Sequence, residues 1–182
     1  MRLEMSLVLE HPRLDQAWVT YTTAFDELRT LAMQRHVMIR DEFDLVMTDK
    51  RVEKHLAIDP GTDAVMALAT FTNVLESMPL ISPEYFAARW PEFCQQGRVW
   101  YLGFFAIDEA YRSSGIFEAV IAQMWAPIQI AGGVAALDIC AFNATIGLPK
   151  AITRTLQNLT PDVVANQADV QTYWVFSLAA ED

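Results

Sequence analysis

The stretch from Val99 to Phe117 constrains the fold of this chain more than any other. Val99 to Ile107 carries no charge and reads as a strand covered on both faces. It breaks into the polar turn Asp108-Glu109-Ala110-Tyr111-Arg112-Ser113-Ser114-Gly115. Ile116 to Trp125 then places Phe117, Val120, Ile121 and Met124 on one helical stripe. A helix opening after such a turn presents N–H groups with no intrahelical acceptor, at the positive end of its dipole. Ser113, Ser114 and Gly115 are small enough for an anion to approach the backbone, and Arg112 adds a fork-shaped positive charge. The same residues also read as a plain turn, with Arg112 in solvent and Gly115 setting a backbone dihedral.

Charge makes that local device matter. The chain has 182 residues, 13 Lys and Arg against 23 Asp and Glu, and a net charge of −10. Its surface field repels phosphate backbones, which argues against nucleic acid and, more weakly, against an anionic membrane. An anionic ligand must be held at one place rather than by the molecule as a whole. No apolar run approaches the roughly 20 residues that span a bilayer, and Glu4 interrupts what would be a signal peptide's apolar region. Cys94 and Cys140 lack metal-ligand spacing, and His11, His36 and His55 are scattered, so no metal site is expected. The expectation is one α/β domain over residues 1–182 in a reducing, cytoplasmic setting.

Periodicity fills in the other elements. Strands are expected at Leu3–Leu9, Lys54–Asp59, Ala64–Val74, Val134–Phe142 and Thr172–Leu178, and helices at Leu14–Leu31, Asp41–Thr48 and Pro149–Leu159. Ser82-Pro83-Glu84 is a helix start by composition, with Ser as cap and Pro at the first position; Pro91 should stop that helix. Pro127 and the Gly132-Gly133 pair should end the helix that begins at Ile116.

Arg112-Ser113-Ser114-Gly115-Ile116-Phe117 resembles the signature of the GNAT superfamily of acyl-CoA-dependent N-acetyltransferases, Arg/Gln-x-x-Gly-x-Gly/Ala opening a helix after a strand. It departs at the sixth position, where Phe117 replaces a small residue. The element order is similar over most of the chain. The resemblance implies a mixed, mostly antiparallel sheet of about six to seven strands flanked by helices. It implies acetyl-CoA as co-substrate, and direct acetyl transfer to an amino group of a small molecule or peptide. Phe105, Ala106 and Ile107 would supply backbone contacts to the coenzyme, Arg112 through Phe117 would cradle its diphosphate, and Asn143, before a helix that flanks the pantetheine, would be a catalytic and coenzyme-binding candidate or only end its strand.

Side-chain chemistry is less complete. The family often places an acid within the strand corresponding to Val99–Ile107, and there is none; Glu76 is the candidate base, and it also reads as a solvated loop acid. The family's Tyr general acid would fall at Lys150, and no Tyr occurs between Thr145 and Gln171. Tyr101 or water would have to serve, or the domain binds an acyl-CoA without turning it over, as a sensor or an assembly module. Asp138, inside an apolar strand, should be paired with something. The insertion Leu75–Arg98 offers Tyr85, Phe86, Trp90 and Phe93 beside Glu76, Glu84 and Glu92; it suits a cationic amine acceptor, a lid or a homodimer interface.

Overall fold

A computed structural model describes residues 1–32, 37–79, 81–112 and 114–178. In chain order the elements are β1 (Arg2–Ser6), α1 (Arg13–Phe25), α2 (Leu28–Leu31), α3 (Arg40–Thr48), β2 (Glu53–Ile58) and β3 (Val65–Thr72). They continue with α4 (Pro83–Arg89), α5 (Pro91–Gln95), β4 (Val99–Ile107), α6 (Ile116–Ala131), β5 (Val134–Leu137), α7 (Ala141–Thr145) and α8 (Leu148–Leu159). The five strands lie in sequence order in one sheet; β1 to β4 pair antiparallel, and β5 joins β4 in parallel.

Strand alternation divides the core. On one face Leu56, Ile58 and Leu68 meet Leu14, Tyr21, Phe43 and Met47 of α1 and α3. On the other, Ala57, Ala67 and Ala69 are small enough for α6 to lie close, with Val120, Met124 and Ile128 buried among Phe71 and Trp100. The insertion between β3 and β4 makes a third cluster, in which Leu75, Met78 and Phe86 cover Val99 and Tyr101. Its α4 starts as the sequence predicts: the Tyr85 N–H donates to Ser82 Oγ, and Pro83 opens the helix.

Five expectations are corrected. The sheet has five strands among the described residues, not six or seven. Thr172–Leu178 forms no ladder there and leaves Trp174 77% and Phe176 90% exposed. The strand from Val134 stops at Leu137 rather than Phe142, so Asn143 sits in α7 and does not end a strand. The α6 helix runs through Pro127 to Ala131. The buried stripe continues to Ile128, and this offsets the carbonyl left unbonded by the proline. Gly132, at φ 63°, terminates it. Finally, the expected helix from Leu14 to Leu31 breaks after Phe25 into α1 and α2.

β4 has the expected bounds but not the expected cover. Val99, Trp100 and Tyr101 are buried, while Leu102 to Phe105 are half-buried. The parallel pairing with β5 runs from Val99 to Leu102 and no further. Beyond Leu102 the pairing stops because β5 ends at Leu137, and the edge this leaves along β4 positions the site.

Candidate acyl-CoA site

Backbone direction along β4 follows from two hydrogen bonds. The Asp108 N–H donates to the Met66 carbonyl (2.9 Å), and the Phe104 N–H donates to Thr70 Oγ1 (3.2 Å), both on the β3 side. N–H groups alternate sides along a strand. Ala106 therefore faces β3, whereas Phe105 and Ile107 turn their N–H groups to the edge that β5 has left. The reversal starts at Gly103, the extra residue of a bulge between the Thr70–Phe104 and Phe71–Leu102 pairs. A Cβ there would meet Thr70 Oγ1 at 2.7 Å and Met78 Sδ at 3.2 Å, so only glycine fits without movement.

The edge leads into the turn. Asp108 Oδ1 accepts from the Ala110 N–H at 2.9 Å, and Ser114 Oγ donates to the Tyr111 carbonyl at 2.6 Å. Gly115 caps α6 at φ 77°, a conformation that side chains resist. The first helical bond is Ala119 N–H to the Gly115 carbonyl, so the N–H groups of Ile116, Phe117 and Glu118 have no acceptor within the helix. They border an open cleft of about 390 Å³ lined by Ile107, Tyr111, Gly115, Ile116, Phe117 and Glu118. Arg112 stands half-exposed beside it, 3.9 Å from Glu109 Oε1. The Phe117 ring packs on Phe105 (centroids 5.3 Å apart) in the α6 core cluster. Thus the non-small residue of the motif forms part of the cleft floor. Ser113 lies outside the described residues. Glu118 had no place in the sequence reading, yet it puts a carboxylate at the cleft rim, where a first-turn acid suits the helix dipole and competes with an incoming anion.

Further along β4, near the end of that pairing, the Tyr101 hydroxyl donates to Asp138 Oδ1 at 2.6 Å. Tyr101 pairs with Ala136 across the parallel ladder, and Asp138 follows two residues later as β5 ends. Burial first, then the Asp138 carboxylate, pushes the phenol well above its usual range. Tyr101 therefore keeps its proton, and Asp138 holds it.

Glu76 lies elsewhere. It is exposed on the 3-10 turn Leu75–Ser77, at a second cleft of about 360 Å³ shared with Asn73, Pro83, Ala87, Cys94 and Val99. The two clefts touch opposite ends of β4, about 25 Å apart at the usual rise per strand residue. Arg112, Ser114, Gly115, Ile116, Phe117, Phe105 and Ile107 converge at one end. Tyr101 lies between the clefts, Glu76 is at the far end, and Asn143 is half-buried in α7.

Neither a family model nor a curated protein sequence matches the chain. Solved structures do match its fold. A probable acetyltransferase aligns at TM-score 0.60 and 12% identity over 97% of this chain and 99% of that one. A possible acetyltransferase from Clostridium difficile 630 aligns at 0.55 and 14%, over 97% and 100%. An aminoglycoside acetyltransferase from an uncultured soil metagenomic sample, in complex with sisomicin, aligns at 0.54 and 9%, over 97% and 96%. The chain has the fold of the GNAT-type acetyltransferases. Among the described residues no helix is long and apolar enough to cross a membrane, and no group of His, Cys, Asp and Glu could hold a metal ion.

Proposed function

We propose that this protein is an N-acetyltransferase that moves the acetyl group of acetyl-CoA directly to an amino group of a small molecule or peptide. One observation carries the reading. The open edge of β4, with the Phe105 and Ile107 N–H groups turned outward, runs into the cleft at the start of α6. A ligand with an anionic head and an extended amide-bearing arm needs that sequence of groups: helix N–H donors and Arg112 for the diphosphate, then strand backbone for the arm. The residues present fit it, with Glu118 at the rim and Glu109 beside Arg112 as opposing charges.

The chemistry divides along β4. A neutral amine nitrogen forms its bond to the thioester carbonyl carbon. The oxyanion that develops is stabilised by an outward strand N–H, Phe105 or Ile107. The C–S bond then breaks, and the departing thiolate takes a proton from water. The nitrogen's surplus proton passes through intervening water to the Tyr101 oxygen as the Tyr101 proton moves to Asp138, 2.6 Å away. The pair acts as a base in this scheme. A phenol whose proton is already engaged by a carboxylate is a poor acid, so Tyr101 does not replace the missing tyrosine as proton donor. Glu76, at the second cleft, suits the attraction of a cationic acceptor rather than proton transfer.

Thiol release from acetyl-CoA on addition of amines (polyamines, aminoglycosides and peptide N-termini) tests this reading. Release is expected with at least one class, and Asp138→Asn should lower the rate at neutral pH. Recovery is expected at alkaline pH, where hydroxide takes the nitrogen's surplus proton in place of the pair. A second reading, a domain that binds acyl-CoA without turnover, is favoured by the absence of any Tyr on α8. Binding without thiol release would select it.

A further inference from the structure

Thr70 is a buried polar residue to which the proposed site gives no role. It lies near the end of β3 and is 1% exposed. Its hydroxyl takes the place of a ladder carbonyl: Thr70 Oγ1 accepts the Phe104 N–H at 3.2 Å. Thr70 and Phe104 are register partners, and the register shifts immediately after them, where Gly103 is the extra residue of β4. A bulge of this kind disrupts the ladder and re-aims the residues beside it. Here the side chain of Thr70 fills the disruption. A Cβ on Gly103 would lie 2.7 Å from Thr70 Oγ1, so the hydroxyl sits directly against the bulge. The Phe104 ring packs with the α1 cluster and the Phe105 ring with the α6 cluster, on opposite faces of the sheet. With the Phe104 N–H held towards β3, alternation turns the Phe105 N–H to the open edge.

We infer that Thr70 is a positioning residue for acetyl transfer: acting through Phe104, it aims the Phe105 N–H at the developing oxyanion. The inference rests on the proposed function and narrows it, because Phe105 and Ile107 both face outward. Ile107 lines the cleft at the start of α6, where the diphosphate would sit. Phe105 stands two residues, about 7 Å, further from that cleft at the usual strand rise. It therefore lies on the acyl side of an arm that runs from the cleft along β4. Thr70 is too deeply buried to reach a ligand itself, so its effect passes through the backbone of Phe104.

Thr70→Val and Thr70→Ser, compared with the native chain below all three melting temperatures, test the proposal. Valine keeps the shape of threonine and removes the acceptor; serine keeps the acceptor and drops the methyl group. With an amine that the native chain acetylates, kcat for thiol release should fall roughly tenfold or more in Thr70→Val. The Kd for acetyl-CoA should stay within about threefold of native, and Thr70→Ser should recover most of the lost kcat. A Thr70→Val chain that melts earlier but keeps its kcat overturns the proposal, since the hydroxyl would then only support the sheet. Equal losses in the two variants overturn it as well, because the methyl group would be responsible. Amide hydrogen exchange in the ligand-free native chain needs no variant to fold. The Phe104 amide should exchange at least tenfold more slowly than the Phe105 amide, and equal rates overturn the proposal. A native chain that releases no thiol with any amine overturns this assignment and the proposed function together. Native turnover that Thr70→Val leaves intact overturns this assignment alone.

Discussion

Lys54 and Arg112 carry two positive charges that this acidic chain treats in opposite ways. Lys54 has no exposed surface, and its ammonium donates to the carbonyls of Leu7, Asp49 and Val52 at 2.6–2.9 Å, tying the end of β1 to the start of β2. Burial pushes it down to about 8, against the pull of nearby Asp49. Because its folded value lies below the unfolded 10.5, the unfolded chain binds more protons between those limits, and stability rises with pH across that window. Thermal melts from pH 8 to 10.5 should show this rise in the native chain and a flatter profile in Lys54→Met. Arg112 by contrast is half-exposed, with one long contact to Glu109, and is available to a ligand. Arg112→Ala should weaken acetyl-CoA binding by roughly tenfold, as the loss of a charge-assisted bond does, while leaving the ligand-free melting temperature unchanged. Calorimetric titration measures the first and a melt the second. Locality decided which residue roles were legible. Arg112, Gly115 and the α6 start are contiguous and could be read together from the sequence. The Tyr101–Asp138 bond joins positions 37 residues apart through a parallel pairing, and only the oddity of an Asp in an apolar strand hinted at it.

At the scale of elements, β4 and its bulge tie the fold to the site. Gly103 lets the strand pass Thr70 and Met78 closely and reverses which residues face outward. Gly103→Ala should cost about 1–3 kcal/mol of stability through crowding, and should weaken acetyl-CoA binding because Phe105 and Ile107 shift with the bulge. Denaturant unfolding and a binding titration check the two halves. Elements with strong local signals were readable: β4 from its apolar run, α4 from Ser82-Pro83, the β2–β3 turn from Pro60-Gly61. Those set by distant partners were not. Pro127 signals a stop that buried Ile128 overrides. β5 ends early, where Asp138 accepts the hydrogen bond of Tyr101. Thr172–Leu178 has a strand's composition but pairs with no strand among the described residues.

For the whole molecule, a net charge of −10 means that an anionic ligand approaches against the long-range field, and in the proposed function a few groups at the start of α6 would hold it. In the proposed function the diphosphate would sit at Gly115–Glu118 and the acyl arm along the open edge of β4. Ligand that binds only the native state raises the melting temperature. The direct measurement is the thermal shift produced by millimolar acetyl-CoA compared with S-acetylpantetheine, which has the same arm and thioester but no diphosphate. A shift of several degrees is expected for acetyl-CoA and little for the analogue. An equal shift from both, or none from acetyl-CoA, would contradict that placement of the ligand.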